Sequence, residues 1–152
     1  MKNIVFTLLI AIVNVSYADP SPPMNMDPQW LVATRLSVKS GKFEQAIRQL
    51  QDSNQVGSAE WNNLMGYSLR QKQFPDLVGA ENYYQAALKI DPKHKGALEY
   101  YGMLMLTNNN LLGAEALLSR LDKVCFFGCE EYSDLKEAIK IYKLKKWKIL
   151  IS

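Results

Sequence analysis

The sequence predicts an all-α protein, a stack of helical hairpins closed by one further helix. Three observations carry that prediction. Ala46, Ala80 and Ala114 are 34 residues apart and then 34 again, and Phe43, Leu77 and Leu111 repeat in step with them, as do Leu50, Tyr84 and Leu118. Within each copy the apolar residues fall at i, i+3 and i+7, one face of a helix. Before two of these helices stand the short polar stretches "SGKF" (40–43) and "NNNL" (108–111), which suit tight connections. A fixed period of this length marks a unit of two helices that must stack on its neighbours to bury its apolar face.

Ahead of the repeats the chain opens MKNIVFTLLIAIVNVSYADP. Lys2 gives a positive start, and Ile4 to Val13 form an apolar run too short to span a bilayer as a helix. Ser16-Tyr17-Ala18 then offers small residues where signal peptidase reads, so residues 1–18 are expected to be an export leader cut after Ala18. Asp19 rather than Cys follows, which argues against a lipoprotein anchor. Export implies the periplasm in a Gram-negative source and secretion otherwise. Residues 19–28 carry Pro20, Pro22, Pro23 and Pro28 and read as an extended spacer. Met24 and Met26 in that arm are taken as ordinary residues.

The three repeats are placed at 29–124. Trp30, Trp61 and Leu98 open their first helices. "WNNLMGYSLRQ" (61–71) aligns with "LEYYGMLMLTN" (98–108), Leu64 matching Tyr101. The middle hairpin has a longer turn, "QKQFPDL", where Pro75 can start the second helix. Asp91-Pro92 marks a helix stop. Ala46, Ala80, Gly102 and Ala114 are assigned to close helix packing.

This pattern resembles the tetratricopeptide repeat: Trp61, Leu64, Ala80, Tyr84, Ala87 and Pro92 in the second copy, and Gly102, Ala114 and Leu118 in the third. The first copy keeps Trp30, Phe43, Ala46 and Leu50 but has Thr34 where a small glycine is usual. In the second, Met65 holds that place and Gly66 comes one residue late. The resemblance implies a right-handed solenoid whose first helices line a concave surface. The end, "LDKVCFFGCEEYSDLKEAIKIY", is similar to a segment that follows such repeats in some exported bacterial repeat proteins.

Residues 125–129 form a joint, 130–145 a capping helix and 146–152 a basic and apolar tail. The cap puts Leu135, Ala138, Ile139 and Tyr142 inward and Lys136, Glu137, Lys140 and Lys143 outward. Cys125 and Cys129 are the only cysteines. On a regular helix, i and i+4 side chains stand about 5–6 Å apart, while a disulfide needs Cβ atoms about 3.8 Å apart. The chain must therefore break between them, and Gly128 can take the left-handed conformation that ends a helix. A structural staple is the expectation. A thiol–disulfide or copper-handling role for the pair is the alternative.

Chemistry is sparse elsewhere. No phosphate loop, HExxH or nucleophile elbow occurs. The single histidine, His94, lies between lysines and is expected to be solvated. No metal site, cofactor or catalytic residue is assigned. The net charge of +3 gives no nucleic-acid signal. The lysines at 136–148 read as a solvated face, with an anionic partner or membrane surface as the sharper reading. The expected function is a non-catalytic scaffold that binds a protein or peptide segment of the cell envelope in the concave face. Counting from the helix openers puts Arg35, Lys39, Asn62, Leu69, Arg70, Glu99 and Met103 there. A module that only oligomerises, through the repeat ends or the tail, is a third reading.

Overall fold

The computed structural model describes residues 27–150. The expected leader and most of the spacer lie outside them. Seven helices follow in order: α1 (Gln29–Lys39), α2 (Phe43–Ser53), α3 (Ala59–Gln71), α4 (Leu77–Ile90), α5 (Lys95–Thr107), α6 (Leu111–Val124) and α7 (Glu130–Leu150). There is no strand among the described residues. The pairs α1/α2, α3/α4 and α5/α6 are the three hairpins, and α7 packs across α5 and α6.

The helix boundaries follow from local chemistry. Pro28 precedes α1, and its carbonyl accepts from the Leu31 and Val32 amides. Gly41 takes φ +68° in the first turn, where only glycine is unstrained. Ser58 caps α3 by accepting from the Trp61 amide, Asp76 caps α4 from Gly79, and Asn110 caps α6 from Gly113. In the middle turn, therefore, Asp76 rather than Pro75 sets the helix start.

Ala46, Ala80 and Ala114 all have zero exposed surface, and so do Leu50 and Tyr84. Leu118, the third member of that column, is only half-buried, and Leu117 and Leu121 supply the fully buried positions of α6. Trp61 locks the first hairpin to the second: its indole Nε1 donates to the Leu50 carbonyl at 2.8 Å and to Ser53 Oγ at 3.1 Å. The hairpin that departs from the small-residue pattern finds its own solution. Met65 is buried in the core, and Gly66 makes the close approach. A Cβ on Gly66 would lie 2.8 Å from Tyr84 Cε1 and 3.0 Å from the Ala80 carbonyl oxygen. In the first hairpin Thr34 is fully buried, and Ser37 Oγ donates to Gln49 Oε1 at 2.8 Å across the helix pair.

Gly102 is close-packed, but against the cap. A Cβ there would meet Leu135 Cδ2 at 2.5 Å and Cδ1 at 2.7 Å. Leu135 and Ile139 seat α7 on the core of the third hairpin. The helix runs to Leu150, past the boundary expected at 145, because no glycine or proline follows Gly128 and Lys and Leu are good helix formers. Tail and cap are one helix, with Trp147 and Ile149 exposed at its end.

The chain breaks between the cysteines as expected. Helix α6 ends at Val124, Gly128 takes φ +81°, and Cys125 and Cys129 are bonded with a Cα–Cα distance of 5.6 Å. Both sulfurs' residues pack on the third-hairpin core, while Phe126 and Phe127 between them stay in solvent.

Two outcomes follow from this packing. Gly102→Leu should lower unfolding free energy by about 1–3 kcal/mol, because Leu135 must leave its site; denaturation followed by circular dichroism measures it, and a neutral result means α7 does not seat there. The double variant Cys125→Ser, Cys129→Ser should stay helical with a modestly lower melting temperature, since closing so short a loop contributes only about 2 kcal/mol. Loss of the helical signal would make the bond a requirement for folding instead.

Candidate peptide-binding groove

The first helices α1, α3 and α5 share one open face, and α7 extends it. A cavity of about 610 Å³ lies there, lined from α1 by Arg35, Val38 and Lys39, from α3 by Glu60, Asn63 and Leu64, from α5 by Lys95, Glu99 and Tyr100, and from α7 by Glu131. The loop before α5 adds His94.

One carboxylate ties the three repeats together along this face. Glu60 Oε1 accepts from Arg35 Nε at 3.1 Å and from Nη2 at 2.8 Å. Its Oε2 lies 3.1 Å from His94 Nε2. Arg35 Nη1 reaches on to Asp27 at 2.6 Å. Burial works to raise the Glu60 carboxyl, but the hydrogen bonds from His94 and Arg35, with their charges, together hold it below its ordinary range. His94 is thus not the solvated loop residue expected from its lysine neighbours. Its side chain is only 16% exposed, and its Nδ1 caps α5 by accepting from the Ala97 amide at 3.2 Å. The backbone needs an acceptor before α5, and a ring nitrogen serves.

Beside this network stands an aromatic pair. Tyr67 of α3 and Tyr100 of α5 have ring centroids 4.6 Å apart, and the Arg70 guanidinium lies 5.7 Å from the first and 5.9 Å from the second. Burial, with the neighbouring Glu99 charge second, pushes the Tyr100 phenol up to about 12. Burial also raises the Tyr84 phenol behind it, partly offset by Arg70.

Glu99 is 8% exposed and makes no hydrogen bond or ion pair among the described residues. Burial raises its carboxyl to about 7, and the charges of Asp134 and Glu131 add to the rise.

Of the residues expected to face a partner, the structure brings Arg35, Lys39 and Glu99 to the cavity and Arg70 to its aromatic wall. It turns the others away. Asn62 is buried, and its Nδ2 donates to the Val56 and Ser58 carbonyls at 2.8 Å each, holding the loop before α3. Leu69 packs in the core between the first two hairpins, and Met103 packs on the third-hairpin core. Helix α3 lines the cavity instead with Glu60, Asn63 and Leu64, and Tyr67 and Arg70 stand beside it against Tyr100. Counting from Trp61 missed this face because Asn62 and Gly66 face the loop and α4. Spacing of i, i+3, i+7 and i+10 from Glu60 was the available signal.

Among the described residues no group of three or more His, Cys, Asp or Glu is placed to hold a metal, and no helix is long and apolar enough to cross a membrane.

A pH dependence follows from Glu99. A carboxyl raised from 4.5 to about 7 on folding takes up a proton between those values, so its contribution to stability is full at acid pH and is lost as the pH rises through about 7. Glu60 acts oppositely, but below the same window. The melting temperature should be higher near pH 5.5 than near pH 8, and Glu99→Gln should shrink that difference. An unchanged difference in the variant would assign it to other groups.

Comparison with known proteins places the fold. No family model matches the chain, and no curated protein matches it. Among solved structures it is similar to the type III secretion translocator chaperone SycD of Yersinia enterocolitica, with a TM-score of 0.66 and 18% identity over 78% of this chain and 83% of that one. At that identity the likeness is one of architecture: this chain has a tetratricopeptide-like fold of stacked helical hairpins.

Proposed function

We propose that the protein is a non-catalytic binding module that holds a segment of another protein in the groove formed by α1, α3 and α5. The observation that carries this is the open cavity on the first-helix face, walled by Tyr100 and by charged side chains of every repeat. A groove of this kind offers apolar and aromatic contact along its floor and polar groups at its rim, which suits a peptide segment. The shared architecture adds support, since SycD is a chaperone for translocator proteins.

Export is part of the reading. The leader-like start of the sequence supports it, and so does the Cys125–Cys129 bond, because disulfides persist chiefly in oxidising compartments. The bond then serves to fix the angle of α7, which carries one wall of the groove. The partner is accordingly a protein of the cell envelope or its exterior.

A photo-crosslinking residue at Lys39, on the groove, should capture the partner from a native extract. The same residue at Leu112, exposed on the second-helix side at 80%, or at Trp147 on the tail should not. Capture from Leu112 or Trp147 with none from Lys39 would move the interface out of the groove.

A further inference from the structure

The groove holds a carboxylate that the fold leaves without an ion pair among the described residues. Glu99 is more than nine-tenths buried, lines the cavity and has no hydrogen-bond or ion-pair partner among the described residues. Burying an unpaired carboxylate is costly, and such groups are rare in folded proteins unless something answers them. The surrounding charge makes the deficit larger. From α7 the charges of Asp134, Glu131 and Glu130 act on it, and Glu131 lines the same cavity. Two cations stand near. Arg70 of α3 lies over the rings of Tyr67 and Tyr100, and its charge partly offsets the load on Glu99; Lys95, one turn before Glu99 on α5, forms no ion pair among the described residues. Glu60, a half-buried acid of the groove, is already matched by Arg35 and His94. The α5/α7 end of the cavity is therefore the end where Glu99 and Glu131 form no ion pair among the described residues, the Arg70 charge offsetting only part of the load on Glu99.

We propose that the bound segment supplies it: a lysine or arginine side chain of the partner enters the α5/α7 end of the groove and pairs with Glu99, with Glu131 alongside and the Tyr100 ring as a wall for its stem. The inference deepens the groove reading above and rests on it. An aromatic ring beside a carboxylate suits a long cationic side chain, because the ring covers the methylenes while the carboxylate takes the charge. Binding is then linked to the ionisation of Glu99. A cationic side chain prefers the carboxylate, so affinity rises with pH as Glu99 loses its proton, the direction opposite to that of the fold's own stability.

The test uses the full chain and a phage-displayed library of random dodecapeptides, panned near pH 8 on the wild type and on Glu99→Gln. Binders are mapped with the photo-crosslinker at Lys39. The wild-type pool should be enriched in a lysine or arginine at one position of the selected motif, and the variant pool should not. In a selected peptide, exchange of that lysine for methionine should weaken binding about tenfold, the loss of one charge-assisted contact. Wild-type affinity should fall between pH 8 and pH 5.5, and that of Glu99→Gln should not. Peptides that crosslink at Lys39 without basic enrichment, or that lose nothing on the lysine exchange, overturn the cation assignment and leave the groove reading standing. A library that yields no binder crosslinking at Lys39 overturns both. The peptide exchange needs no altered protein, so a folding defect in the variant would not shield the proposal.

Discussion

The structure depends on close approach within and between helical hairpins. Ala46, Ala80 and Ala114 are wholly buried, and Gly66 and Gly102 let backbones come within reach of Tyr84 and Leu135. Larger side chains complete the packing: Leu50, Tyr84 and Leu121 are fully buried, Tyr84 directly against Gly66. One hairpin cannot enclose its own apolar stripe, so each depends on the next. The last depends on α7, whose Leu135 occupies the space that a side chain on Gly102 would take.

That stacking also decides what is left for binding. The second helices spend their inner faces on the core. The first helices keep one face open, and three repeats align three such faces side by side. The Glu60 carboxylate, held by Arg35 of one repeat and His94 at the entrance to the next, fastens this face across the joints. A network that is fully paired fixes geometry, because breaking any member strands the others. Glu99 differs in having no such partner. The carboxylates of the groove are thus ion-paired near α1, at Glu60, and not near α7, at Glu99, among the described residues.

The disulfide belongs to the same logic. It closes too short a loop to add much stability. It sits where α6 hands over to α7, with Gly128 turning the chain, and α7 brings Glu131 to the cavity and Asp134 toward Glu99. A joint that fixes the cap's direction fixes the acidic wall as well.

The sequence by itself determined the architecture. Residues repeating at a constant interval occupy similar places in a stack, so the three hairpins and the buried alanines were legible from spacing, and the break before α7 from the reach of a disulfide and from Gly128. Counting from the helix openers also picked out Arg35, Lys39 and Glu99, which line the cavity, and Arg70, which stands beside it. Tertiary structure decided the rest. Whether Gly66 or Met65 makes the close approach depends on how α3 rolls against Tyr84, and that roll carries Asn62 into the loop and Glu60 and Asn63 to the cavity. The partners of Glu60 come from residues 35 and 94, far apart in the chain, and only stacking brings them together. The isolation of Glu99 is likewise invisible in sequence, because an unmatched charge is a property of everything that surrounds it.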